Sequence, residues 1–133
     1  MLNNILSFFL MLFLLGCQNT VSNEEIRNSE WEVIGGRDDL IFGENLKFKA
    51  YSSEAGGRYM GDYIIHNDTI ITKARYWANG EMLPPLLRDH LQKFIIKNEE
   101  LWLVSAQVKG NPPIIFDNPQ RYVLIYKYYD SKK

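Results

Sequence analysis

The run RYMGDYIIHNDTIITKARYW, residues 58–77, decides the fold class. In its first half Tyr59, Gly61, Tyr63 and Ile65 fall opposite Arg58, Met60, Asp62 and Ile64. In its second half Ile70, Thr72, Ala74 and Tyr76 oppose Ile71, Lys73, Arg75 and Trp77. A period of two sends successive side chains to opposite faces of a strand, and helical spacing fits neither half better. Between the halves stands His66-Asn67-Asp68, and Asn and Asp tolerate the left-handed conformations of tight turns. The run therefore predicts a β-hairpin, with neighbours that are antiparallel.

The same design repeats on both sides. In NLKFKAY, residues 45–51, Leu46, Phe48 and Ala50 share one face and Lys47 and Lys49 the other. FIIKNEELWLV, residues 94–104, places a loop at Lys97 to Glu100 between two β-rich runs. RYVLIYKYY, residues 121–129, sets Tyr122, Leu124, Tyr126 and Tyr128 against Arg121, Val123, Ile125 and Lys127. FGEN (42–45) and FDNPQ (116–120) are turn signals, the second with Pro119 fixing φ. The expected strands are Trp31–Ile34, Asp39–Phe42, Leu46–Ser52, Arg58–His66, Thr69–Trp77, Gln92–Lys97, Leu101–Lys109 and Tyr122–Tyr129. Eight short antiparallel strands predict an all-β domain closed into an up-and-down barrel, with a β-sandwich as the alternative if the sheet splits. The proline-bearing NGEMLPPLLRDHLQ (79–92) reads as a loop with a helical turn from Pro85 to His90, placed to cover the barrel mouth.

The first sixteen residues, MLNNILSFFLMLFLLG, carry no charged side chain. Their apolar core, Phe8 to Leu15, is too short to anchor across a hydrocarbon layer about 30 Å thick. Residues 1–16 read as a secretory signal peptide; a buried helix or a short membrane anchor is the alternative. Leu14-Leu15-Gly16-Cys17 resembles the lipobox of bacterial lipoproteins. The resemblance implies cleavage before Cys17, a diacylglyceryl lipid on its thiol, and attachment to the membrane through that lipid. With Gln18 rather than Asp after the cysteine, it further implies the outer membrane of a two-membrane envelope, facing the periplasm. The cysteine count agrees: Cys17 is the only one, and an unpaired cysteine in a secreted chain needs a reason such as modification. Residues 17–30, lipidated Cys17 followed by the polar QNTVSNEEIRNSE, read as a flexible tether. Residues 31–130 are long enough for one domain.

A second resemblance covers Trp31 to Tyr129. A Trp on the first strand, then successive hairpins, then tyrosines on the closing strand are similar to the lipocalin-like domains of bacterial lipoproteins. It implies a non-enzymatic barrel that holds a small apolar or amphipathic molecule.

Charge and motifs narrow the chemistry. Fifteen basic side chains against sixteen acidic ones, with no basic block, leave no footprint for nucleic acid. No serine stands in a G-x-S-x-G turn, so no catalytic residue is expected. His66 falls in a hairpin turn and His90 in the irregular segment, where neither has a nucleophile beside it. His66 and Asp68 are two ligands where zinc wants three or four, and Glu99-Glu100 is a solvated pair at a hairpin tip. Gly35-Gly36 and Gly56-Gly57 lack the following helix of a phosphate loop. Neither a metal nor a cofactor is expected.

What remains is aromatic. Seven Phe, eight Tyr and three Trp place Phe48, Tyr59, Tyr63, Tyr76, Tyr122 and Tyr126 on the inward face by alternation. The interior of an eight-stranded barrel is either just filled by side chains or holds one small ligand, and buried hydroxyls need partners. Phe48, Tyr63, Tyr76 and Tyr126 are the expected ligand-lining set. The alternative is a structural or interaction module with a filled barrel, docking a protein through an outward Trp77 and Arg75, residue types favoured at interfaces.

Overall fold

The computed structural model describes residues 23–127. A helical turn, α1 (Asn23–Ile26), leads into eight strands: β1 (Ser29–Val33), β2 (Asp39–Phe42), β3 (Lys47–Ser52), β4 (Gly57–His66), β5 (Thr69–Trp77), β6 (Leu91–Lys97), β7 (Glu100–Gln107) and β8 (Ile114–Lys127). Each strand pairs antiparallel with the next, and β8 pairs back to β1, so the sheet is a closed barrel. Closure removes the unpaired edges that strands so rich in β-formers would otherwise expose. The decisive hairpin forms as read: β4 and β5 pair from Ile64↔Ile71 through His66↔Thr69, with Asn67 at φ 55° in the turn. At the KNEE loop only Asn98 and Glu99 lie outside the strands, both at positive φ, the geometry that suits the right-handed twist of a two-residue hairpin.

Because strand direction alternates, the connections divide between two rims. One rim carries the short turns 43–46, 67–68 and 98–99 together with the chain entry at α1; the other carries the longer connections 34–38, 53–56, 78–90 and 108–113. The inward residues between them are Trp31, Leu40, Phe42, Phe48, Ala50, Tyr59, Tyr63, Ile70, Thr72, Ala74, Phe94, Leu101, Leu103 and Tyr122, all buried. Their rings meet edge to face, Phe42 with Tyr63 at 5.0 Å, Phe48 with Tyr59 at 6.0 Å and Phe94 with Tyr122 at 5.8 Å, the arrangement that ring quadrupoles favour.

The turn rim is sealed from within the chain. Ile26 is fully buried, the Ser29 hydroxyl donates to the Ile26 carbonyl, and Trp31 Nε1 donates to Ser29 Oγ at 2.8 Å. The Tyr63 hydroxyl donates to the Gly43 carbonyl at 2.5 Å. The expected flexible tether through Glu30 is thus corrected from Asn23 onward. Ile26 is the one large apolar side chain between Val21 and Trp31, and burying it gains about 1.5–3 kcal/mol. Residues 1–22, with the expected signal peptide and Cys17, lie outside the described residues.

Four interruptions of register break the ladders, and between β6 and β7 the slip leaves Val104 extra. Met60 pairs with Tyr76 but Gly61 with Ala74, so Arg75 is an extra residue in β5. One inserted residue flips every side chain beyond it to the other face. Tyr76, expected inward, therefore stands outside at 38 % exposure, and Trp77, expected outward, is half-buried against the core. Between β1 and β8, Trp31 pairs with Leu124 and Glu30 with Tyr126, leaving Ile125 extra; Leu124, expected inward and lying ahead of that slip, is nonetheless exposed. Between β7 and β8, Leu103 pairs with Gln120 and Ser105 with Ile115, so one residue of β7 faces four of β8. The FDNP turn signal is realised there as a bulge inside a strand that begins at Ile114 rather than Tyr122. Pro119 has no N–H to give to a ladder, and an interrupted ladder asks for none.

Candidate functional site

The long-connection rim holds a cavity of about 410 Å³, open at one side. Four strands and two connections supply its walls. Tyr59 comes from β4, Ala74 and Trp77 from the end of β5, and Gln92 from β6, with His90 just before it. Ser52, Glu54 and Ala55 form one lip and Leu83 and Leu87 the roof. Trp77 reaches this place only because the Arg75 bulge turns it inward.

The roof is tied down by backbone bonds. Trp77 N–H donates to Glu81 O at 2.8 Å, and Leu83 N–H donates to Arg75 O at 3.1 Å, so the chain folds back along β5. The Arg88 and Leu87 amides both reach Pro84 O at 2.9 Å, a single turn over Pro84-Pro85. Arg88 Nε donates to Leu83 O at 3.2 Å. Asp89, at φ 60°, donates its N–H to Ala74 O, and Ala74 N–H donates to His90 O at 3.1 Å, which holds His90 beside the cavity. The Asp89 carboxylate lies between Lys73 at 3.9 Å and Lys109 at 3.5 Å. Leu83 is buried by this arrangement, while Leu86, on the outside of the turn, is 78 % exposed.

On the floor of the cavity Gln92 carries no charge, and Tyr59 and His90 favour their uncharged forms. Burial, and then the charge of Asp38, push the Tyr59 hydroxyl up to about 12, and that hydroxyl donates to Gln92 Oε1 at 3.1 Å. Burial also pulls the His90 imidazole below its ordinary value. The carboxamide oxygen of Gln92 is thereby occupied, whereas its NH2 group and the His90 ring have no hydrogen-bond partner among the described residues. Glu54, exposed at the lip, is the one carboxylate among the lining residues. Such a mouth can hold an apolar body under Leu83, Leu87 and Trp77 while offering hydrogen bonds from its floor.

The expected ligand-lining residues are not gathered here. Phe48 lies in the core against the Tyr59 ring, and Tyr63 is at the turn rim, 1 % exposed. The side chain of Tyr126 lies outside the described residues, as does Cys17. Tyr76 lines a different hollow, about 720 Å³, along β2 to β5 with Ile41, Met60, Lys47, Lys49 and Arg75, and Phe48 is, among the described residues, the one other expected ligand-lining residue that reaches it. Of the expected partner-binding pair, Arg75 is outside, 3.3 Å from Asp62, whose carboxylate also takes Lys47. Trp77 is in the mouth. Gln92, His90, Leu83 and Leu87 were not expected as lining residues; the signal available for two of them was a pair of leucines flanking two prolines in an otherwise polar loop. Among the described residues no group of three or more His, Cys, Asp or Glu is placed to hold a metal ion, and no helix is long and apolar enough to cross a membrane.

No family model, curated protein or solved structure matches this chain.

Proposed function

We propose that this chain is a non-enzymatic bacterial envelope lipoprotein that binds a small apolar or amphipathic molecule at the mouth of its barrel. The observation that carries the reading is the mouth cavity itself: an apolar roof and wall over a floor whose Gln92 amide and His90 ring are left without partners. Both residues are half-buried at an open mouth, and a polar edge on a ligand takes the place of water at these groups. The lipid attachment rests on the Leu14-Leu15-Gly16-Cys17 match. Two or three acyl chains on Cys17 anchor firmly where one would not. Asn23 stands six positions after Cys17, a reach of at most about 20 Å. Since the chain enters at the turn rim, the anchor holds that rim toward the bilayer and the mouth opens away from it.

A second reading, a protein-interaction module, draws on the outer hollow, where exposed Tyr76 and half-buried Met60 sit among Lys49, Lys47 and Arg75. Native mass spectrometry of the full chain, produced in a bacterial envelope and released in detergent, separates the two. A co-purifying mass of a few hundred daltons that persists in Tyr76→Ala and is lost in Trp77→Ala supports the mouth. A clean apo mass turns the search to partners of the outer face. Palmitate labelling lost in Cys17→Ser supports the anchor, and labelling that ignores this substitution refutes it.

A further inference from the structure

We infer that the mouth selects by charge: it takes uncharged ligands with a flat apolar body and a hydrogen-bond acceptor, and turns organic anions and cations away. The inference rests on the mouth being a binding site. Its ground is the inventory of charged groups at that rim. No Lys or Arg lines the cavity. The cations of that rim, Arg37 included, stand outside the lining. Arg58 grips both Asp39 oxygens at 2.9 Å, Lys73 and Lys109 share the Asp89 carboxylate, and Arg88 is held to the Leu83 carbonyl through Nε on the outer side of the roof. An anion entering would lose its hydration with no opposite charge in the lining to meet it.

Cations are refused for a different reason. Neither nearby aspartate lines the cavity: Asp39 is paired with Arg58, and Asp38, which keeps its charge, is held outside by the Ser53 amide at 3.0 Å and hydroxyl at 2.8 Å. Glu54 is exposed, so its charge is screened by water rather than held against the cavity. The floor itself offers Gln92 NH2 as a donor, the Tyr59 oxygen as an acceptor, and a His90 ring that gives one of each when neutral. An ester, amide, sulfonamide or ketone on an aromatic or alicyclic body meets these groups. A fixed charge does not. Trp77 and Tyr59 supply the flat faces for that body.

The test uses three dyes with one ring system: dansylamide, which is neutral, dansylglycine, an anion, and dansylcadaverine, a cation. Fluorescence titration of the detergent-solubilised full chain at pH 7.5 should show dansylamide bound about tenfold or more tighter than either ion. Gln92→Leu should weaken dansylamide about tenfold, and Lys49→Glu on the outer face should leave it unchanged. His90→Lys should shift the preference toward dansylglycine, whereas His90→Gln, which stays neutral, should keep it; circular dichroism confirms that each variant retains its sheet. Equal binding of the three dyes, or preference for either ion, overturns the inference while leaving the cavity reading intact. Loss of dansylamide in Lys49→Glu but not in Gln92→Leu puts the dye on the outer face and overturns it as well. If none of the three binds, the cavity reading itself falls and the inference with it.

Discussion

Gly61 is the residue on which the shape of the barrel turns. A Cβ there would lie 1.8 Å from the Lys73 carbonyl oxygen and 2.9 Å from its carbon, and backbone cannot move aside as a flexible side chain does. The close approach belongs to the bulge, where Gly61 faces Ala74 beside the unpaired Arg75, and a glycine inside a strand commonly marks such a place. Gly61→Ala should therefore cost about 3 kcal/mol or more, read as a lower urea midpoint. Ala at Gly56, an exposed turn with open space at the Cβ position, is a control for the strain of positive φ alone and should cost less. The hydroxyls show the other residue-scale rule. Tyr63 reaches Gly43 O, Tyr59 reaches Gln92, and Tyr122 lies 3.4 Å from Gln120. The need for partners was legible in the count of inward tyrosines. Which partner each would find was not, because Gly43 and Gln92 are brought close only by closure of the barrel.

At the scale of elements, alternation in the sequence located all eight strands, and the four that differ most in extent or facing do so where register slips. Asp39–Phe42 and Thr69–Trp77 have the expected bounds, while β8 begins eight residues early, at Ile114 rather than Tyr122. A period-two pattern cannot reveal a bulge, since an extra residue leaves each half of the strand looking regular. That is why Tyr76, expected inward as a ligand-lining residue, and Trp77, expected outward, exchange faces. Nor could polarity reveal α1: six of the seven residues from Asn23 to Ser29 are polar, and the single Ile26 that plugs the turn rim gives no periodicity to detect. Its role is testable. Ile26→Ala should destabilise the domain by about 2–4 kcal/mol, and a chain started at Trp31, which also lacks Ser29 and its bond to Trp31 Nε1, should be weaker still. An unchanged melting temperature for Ile26→Ala would mean that the helical turn does not seal the rim.

For the whole molecule, the interior tyrosines set an alkaline limit that the net charge, near zero at neutral pH, gives no hint of. Burial raises the hydroxyls of Tyr59, Tyr63 and Tyr122 together, with Tyr59 reaching about 12. In the unfolded chain each ionises near its ordinary value of about 10. Above that pH the unfolded state has released protons that the folded state still holds, so stability is intact below about pH 10 and falls as pH rises toward the folded values. Tyr59 alone accounts for a loss on the order of 2 kcal/mol across that span. Tyr122 adds to it, since Tyr59, Asp38 and Asp39 all disfavour its charged form beyond the effect of burial. His90 gives a smaller limb on the acid side. Its folded value is lowered, so the unfolded state takes up a proton first, and stability declines as pH falls below about 6.5. Urea midpoints measured between pH 5 and 11 should trace a plateau with a steep alkaline edge. Tyr59→Phe should flatten part of that edge without touching the acid limb, and His90→Gln should do the reverse. An edge unchanged by Tyr59→Phe would place the hydroxyl in water, and with it would go the half-dry mouth on which ligand selection depends.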